Sequence, residues 1–404
     1  MRWLAVAAAL VGATAPADEL DGMVLCGYQG WFRAEGDGSG LGWRHYQGRR
    51  GFEPGNAGIE MWPDVTELPS DDRFATAFRH ADGSQAEVFS SDRATTVGTH
   101  FRWMKEYGID GVFLQRFATS TRDPKLRASL DRVLANVREG AAAQGRRWAL
   151  MYDLSGLGPR EVAVVSEDWE RLKSERRLGR SDASYLRFRD RPLVALWGIG
   201  FNDRETDFDG WRELVRAMRA DGCSVMLGVP YYWRTLDRDC VSDPRLHAVI
   251  RSADLVSPWS VGRFGTPEDA RRNGSQVVAA DRRWCEEHGL GYLPVVFPGF
   301  SWHNLMASRG KASPFDAIPR RKGEFLWSQG VAARRAGCRA VYVAMFDEID
   351  EGTAIFKTRQ DPPVGDSPFL REEGVAGDHY LRVSGELGRM LRGERGVEWR
   401  ERAE

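Results

Sequence analysis

Ala340-Val341-Tyr342-Val343-Ala344-Met345-Phe346-Asp347-Glu348-Ile349-Asp350-Glu351-Gly352 is the stretch on which the fold turns. Its first seven residues are all apolar or aromatic, the pattern of a short strand buried on both faces. Four carboxylates then fall within five positions. A buried strand that delivers acids at its C-terminal end matches the active rim of a (β/α)8 barrel. Seven similar runs precede it: Met23–Tyr28, Gly111–Gln115, Trp148–Asp153, Leu193–Gly198, Val225–Val229, Asp254–Ser257 and Tyr292–Phe297. Amphipathic segments separate most of them: Arg93–Tyr107, Leu126–Gln144, Arg160–Leu178, Gly210–Asp221, Thr266–His288 and Arg321–Gly337, with His379–Leu391 as a last helix. Strands alternating with helices predict an α/β fold with a parallel sheet. Gly108, Gly145, Gly222, Gly289 and Gly337 fall where helices should stop, since glycine accepts the left-handed conformation of a helix C-terminus. Thr266-Pro267-Glu268-Asp269 reads as a helix start.

Eight strands predict a single-domain (β/α)8 TIM barrel over residues 21–404. A doubly wound open sheet is the alternative. It would carry a Gly-rich phosphate loop after its first strand. Gly36–Gly40 is Gly-rich, but its spacing is wrong for a nucleotide and it reads as a flexible loop. The segment Trp31–Asp92, which carries Trp43, His45 and Tyr46, is too long for a simple connection. It is expected to be an elaborated loop over one end of the barrel.

Hydrophobic residues make up 42% of the 404 and charged residues 28%, which excludes bulk disorder. A net charge of -1 provides no global field for nucleic acid or an anionic membrane. Arg2, the apolar Trp3–Val11 and the small residues Ala13-Thr14-Ala15 or Ala15-Pro16-Ala17 follow the order of an export signal over residues 1–20. That stretch is too short to span a bilayer, so a secreted or periplasmic protein is expected. Val24-Leu25 before Cys26 fits lipoprotein processing poorly. The five cysteines have no metal-ligand spacing and read as small buried residues, with Cys223–Cys240 as the one disulfide candidate. A monomer is expected.

In a barrel enzyme the chemistry sits where the strands end. The first run ends at Tyr28, Gln29 and Trp31, the second at Gln115 and Arg116, the third at Asp153, and the fourth at Trp197. The fifth is followed by Tyr231, Tyr232 and Trp233, the sixth by Trp259, and the seventh by Trp302, His303 and Asn304. Aromatic rings stack on the C–H faces of sugars, while amides and acids pair with hydroxyls. Carbohydrate is therefore the expected partner. Trp103, Trp148 and Trp211 lie inside helical or strand patterns and read as core, whereas Trp259 and Trp302 sit among turn residues and read as site. Glycosidic cleavage needs two carboxyl groups, one of them kept protonated. Crowded like charges raise carboxyl pKa values and so prepare such an acid. Glu348 and Glu351 are the candidate catalytic pair. A solvated turn and an oxygen cage for Ca²⁺ are the competing readings of the cluster; no other cofactor is expected. Without His-x-His or His-Glu-x-x-His, zinc is not expected. Candidate substrate contacts are Tyr28, Gln29, Trp31, Arg116, Asp153, Tyr231, Tyr232, Trp259, Trp302, His303 and Asp347.

These residues resemble glycoside hydrolase families 71 and 99, in particular the loosely defined 71/99-like group labelled xylosidase/arabinosidase. Gly27-Tyr28-Gln29-Gly30-Trp31-Phe32 resembles the first-strand Tyr/Trp motif, and Tyr107-Gly108-Ile109-Asp110-Gly111-Val112 the step into the second strand. Phe346-Asp347-Glu348-Ile349-Asp350-Glu351-Gly352 is similar to the family 99 motif Phe-Asn-Glu-Trp-His-Glu-Gly. The resemblance implies a (β/α)8 barrel, with family 99 members acting as retaining endo-α-mannosidases. It implies that Glu348 assists attack by the sugar 2-hydroxyl, that Glu351 is the general acid/base, and that Asp153 lies near a substrate-binding position. Asp347, Ile349 and Asp350 depart from the motif, and Asp153-Leu154-Ser155 replaces a third-strand Glu-Pro-Tyr. The departures put the substrate and stereochemistry in question more than the fold.

Overall fold

A computed structural model describes residues 19–176 and 182–399. All but the end of the predicted export segment lies outside the described residues. In chain order the first half contains β1 (Val24–Tyr28), β2 (Phe74–Arg79), β3 (Gln85–Val88), α1 (Ala94–Tyr107), β4 (Gly111–Phe117), α2 (Pro124–Gln144), β5 (Arg147–Asp153), α3 (Ala163–Arg176), β6 (Arg187–Phe188) and β7 (Arg191–Trp197). The second half contains α4 (Phe208–Ala220), β8 (Ser224–Pro230), α5 (Arg245–Arg251), β9 (Leu255–Trp259), α6 (Pro267–Asn273), α7 (Ala279–Glu287), β10 (Gly291–Tyr292), β11 (Val295–Val296), α8 (His303–Ser308), α9 (Glu324–Arg335), β12 (Val341–Val343) and α10 (His379–Leu391).

The parallel sheet runs β10-β9-β8-β7-β5-β4-β1-β12-β11. β10 and β11 are two halves of the seventh barrel strand, so the two ends of that order meet and the sheet closes on itself. Pro294, which has no N–H to give the ladder, sits at the break. The backbone still bridges it: Leu293 donates to Val256 O at 2.9 Å and Pro294 O accepts from Tyr342 N at 2.9 Å. The α/β barrel read from the sequence is therefore the fold, with each predicted apolar run on a barrel strand.

Helix ends follow the predicted caps. Gly108 and Gly145 close α1 and α2 at φ 77° and 61°, a conformation that costs other residues a Cβ clash. The Thr266 hydroxyl accepts from Asp269 N at the start of α6. The predicted helix Thr266–His288 is divided by a π-turn at Gly274–Val278; a Cβ on Gly274 would lie 2.6 Å from Ala332, so the interruption sits where helix meets helix. The helix predicted over Arg160–Leu178 begins later, at Ala163, and its last two predicted residues lie outside the described ones.

Trp103, Trp148 and Trp211 are buried, as read, and full burial of a large apolar side chain contributes about 1.5–3 kcal/mol. All five cysteines are buried and no disulfide joins them, so the Cys223–Cys240 bridge is not formed; both serve as small core residues, Cys223 next to β8 and Cys240 in the loop beyond it. Among the described residues no helix is long and apolar enough to cross a membrane.

The long excursion after β1 packs over the barrel mouth. Its β2–β3 pair is antiparallel. Tyr46 and Trp62 are fully buried, donating to Phe89 O at 2.9 Å and Glu87 O at 3.0 Å. Arg33 is buried and donates to Ser129 Oγ at 2.7 Å and to the carbonyls of Gly30 and Phe32. These bonds fix the path of residues 30–46 across the rim.

Candidate active site

A cleft of about 800 Å³ opens at the C-terminal ends of the barrel strands. Strand parity decides who faces it, because side chains alternate faces with a period of two. Gln115 and Phe117 of β4 line the cleft, as do Asp153 of β5, Trp197 of β7 and Trp259 of β9. Just past β1 come Gln29 and Trp31, and past β11 comes Trp302. Trp259 meets Trp197 edge to face at 5.4 Å, a geometry aromatic quadrupoles favour.

Glu348, Asp350 and Glu351 all line the same cleft. Glu348 is almost fully buried. It accepts from Gln29 Nε2 at 2.5 Å and from Thr353 Oγ1 at 2.7 Å. Burial and then the Glu351 charge push its pKa well above the usual carboxylate range. Burial, and after it Asp350, pushes Glu351 up to about 7, with the Trp302 indole and Arg309 opposing. Asp350 is pushed up to about 8 by burial. Three acids this close cannot all ionise near neutrality, so the cluster retains protons at pH 7.

His45 completes the wall from the long excursion. Its ring stacks on Trp31 with centroids 4.0 Å apart and planes 6° apart. Its Nδ1 lies 3.3 Å from Asp350 Oδ2. Burial, followed by Arg44, Arg33 and Arg309, drives its pKa well below 6.5, so the ring is neutral and its contact with Asp350 is a hydrogen bond. The backbone at His45 has φ 66°, a left-handed conformation that is uncommon outside glycine and often found at functional sites.

The acidic loop is braced from behind. Asp347 is fully buried and accepts from Gln29 N at 2.7 Å and Gly30 N at 2.8 Å. Glu60 accepts from Ser301 Oγ and Asn304 N at 2.5 Å, and its own N–H donates to Ile349 O at 2.8 Å. The excursion thus ties Trp302's loop to the acids. Arg320 donates to Gly352 O and Ala354 O at 3.0 and 2.8 Å, closing the far end of the loop.

Several predicted contacts lie elsewhere. Tyr28 and Arg116 each stand one residue out of phase with the cleft. Tyr28 points outward, its hydroxyl 2.8 Å from His100 Nδ1 on α1. Arg116 points outward into Asp168 and Asp131 at 2.6 and 2.8 Å. Asp347 lies behind the wall, spent on backbone N–H groups. Asp239 accepts from the N–H groups of Tyr231 and Tyr232 at 3.0 and 3.1 Å and turns the chain after β8 aside. Both tyrosines line a separate pocket of about 500 Å³ with Arg234 and Asp281. His303 Nδ1 is 2.9 Å from Ser313 O, and the ring is not part of the cleft wall. Gln29, Trp31, Asp153, Trp259, Trp302, Glu348 and Glu351 do meet in it. Gln115 and Trp197 were visible as strand ends, and parity would have selected them. His45, Arg44 and Arg309 carried no local signal, since only chain folding brings them to the rim. Among the described residues no group of three or more His, Cys, Asp or Glu side chains is arranged to hold a metal ion.

Two solved structures of the GH99 endo-alpha-mannosidase from Bacteroides thetaiotaomicron are similar to this chain over nearly the whole of both lengths. One, in complex with bis-tris-propane, shares 14% identity with a TM-score of 0.66; the match covers 93% of this chain and 98% of that one. The other shares 16% identity with a TM-score of 0.64 over the same shares. The chain has a GH99-like fold. No protein-family model matches the sequence, and no curated protein does.

Proposed function

We propose that this protein is a glycoside hydrolase acting on a polysaccharide or glycan, with Glu351 as general acid/base and Glu348 as the second carboxyl. The observation that carries the reading is a rim cleft in which proton-retaining carboxyls sit among aromatic rings. Glu348 receives two donors, which favour its charged form. Glu351, its pKa pushed up to about 7 by burial and then Asp350, can both give and take a proton around neutrality, as the acid/base role requires. From there it protonates the leaving glycosidic oxygen, while Glu348 takes a proton from the attacking hydroxyl.

Residues of the cleft wall also carry polar atoms without a protein partner. Gln29 Oε1, Gln115 Oε1, Trp31 Nε1, Trp197 Nε1 and Asp350 Oδ1 are buried with no protein partner. Buried polar atoms ordinarily have partners, and a glycan that moves these side chains on binding would supply them. The leader Arg2–Val11 supports export; the mature chain from a secreting host should begin just after Ala15 or Ala17, which intact-mass measurement reads. A monomer is proposed, to be checked by light scattering.

The test is release of reducing ends from a polysaccharide panel. Wild type should cleave at least one member, and Glu351→Gln should lose about 10²–10⁴-fold of that rate while keeping its melting temperature. Undiminished cleavage by Glu351→Gln rejects the assignment.

A further inference from the structure

We propose that the cleft takes a glycan bearing an anionic sugar, whose carboxylate or sulfate is bound by Arg44 and Arg309 beside the His45–Asp350 pair. The inference rests on the glycosidase reading and names the substrate class for that site.

Both guanidinium groups line the cleft. Arg309 follows the end of α8 and is exposed; Arg44 lies next to His45 on the excursion and is half-buried. Their other neighbours on the rim are already paired. Arg204 holds Asp203 at 2.8 Å, and Arg263 holds Asp239 at 2.6 Å. Arg33 is buried 3.4 Å from Asp92. Arg44 and Arg309 make no ion pair or side-chain hydrogen bond with any of the described residues. Both line the cleft together with His45, and the charge of each bears on its ring. Arg309 also acts on Asp350 and Glu351 without reaching ion-pair distance.

Burying a guanidinium without an anion costs free energy. Burial lowers the Arg44 pKa, and the Asp123 charge, not within ion-pair distance, opposes it without restoring the usual value. A structural arginine here would be expected to carry a carboxylate, as Arg33, Arg204 and Arg263 do. A guanidinium fork left open toward a cleft matches a planar carboxylate or a sulfate in two parallel hydrogen bonds. The stacked Trp31–His45 pair offers an apolar face beside it, and Asp350 Oδ1 a hydrogen-bonding group. An acidic sugar ring lying on that face would place its charge between the two arginines.

The test is binding by titration calorimetry to the Glu351→Gln protein, which removes turnover. The probes are oligouronides from pectin, alginate and glucuronoxylan, each with its carboxyl-reduced counterpart, and a sulfated galactan oligosaccharide with its desulfated form. At least one anionic probe should bind tenfold or more tightly than its neutral partner, and the advantage should shrink as salt is raised. Which pair shows it distinguishes carboxylate from sulfate. Adding Arg309→Gln or Arg44→Gln should remove most of the advantage, read as the ratio of anionic to neutral binding by the same variant. If every neutral probe binds as well as its anionic partner, or the advantage survives both substitutions, the inference is overturned. Wild-type hydrolysis of a neutral glycan with no anionic preference would overturn it and leave the glycosidase reading standing. Absence of binding and of cleavage across all probes would remove both.

Discussion

Glu351 does its proposed work only while protonated. Its pKa, pushed up to about 7 by burial and then by Asp350, sets where that form is lost. As pH rises through this value the acid ionises, so kcat/KM should fall along a limb centred near pH 7; a rate flat to pH 9 would contradict the role. Asp350 gives a stability counterpart. Its folded pKa of about 8 lies above the ordinary value of 3.8, so the folded state holds the proton more tightly than the unfolded one. The sign follows: nothing is lost below the unfolded value, destabilisation grows between the two, and it is complete above the folded one. Asp350→Asn should therefore raise Tm at pH 8.5 and leave it nearly unchanged at pH 4. For a chain of 404 residues, at about 2.1 cal/mol/K of unfolding entropy per residue, each kcal/mol recovered is worth roughly 1 °C. Differential scanning calorimetry at the two pH values reads the difference.

At the scale of elements, the ends of β1 and β4 show how close the sequence came to the site and why it missed. Gln29 and Tyr28 are neighbours in the chain, yet one holds Glu348 and the other packs against α1. Gln115 and Arg116 divide in the same way. Position at a strand end was legible from the apolar runs; phase was not, because buried strands are apolar on both faces and leave no alternation to read. Arg116 instead clamps β4 to α2 and α3, where Asp131, Asp168 and Arg171 form one network. Removing one member of a buried charge network leaves the others uncompensated. Arg116→Leu should cost about 3–5 kcal/mol in urea unfolding, while the KM of the protein that remains folded stays at the wild-type value. A tenfold rise in KM without loss of stability would instead return Arg116 to the site.

For the whole molecule, closure of the sheet through a seventh strand split at Pro294 gives one continuous core from β1 to α10. A core of this size needs no covalent staple. The five cysteines are dispersed through it as buried thiols with no disulfide among them, and burial pushes Cys240 and Cys338 up to about 12. Thiol titration should find five reactive groups in denaturant and almost none in the native protein, with Tm unchanged by reductant. Fewer than five in denaturant would reveal a bridge.

The amino-acid sequence by itself determined the alternation of strands and helices, the caps that end the helices, and the delivery of Glu348 and Glu351 to the end of the last strand, because each depends on residues adjacent in the chain. Only the tertiary structure decided which side of each strand faces the cleft, and that His45, Arg44 and Arg309 join the acids there. Those pairings span up to about 300 positions, as between His45 and Asp350, and depend on how the barrel closes and on where the long excursion lies across its mouth. The length of the excursion announced a loop over one barrel end, but not which of its side chains would reach the acids.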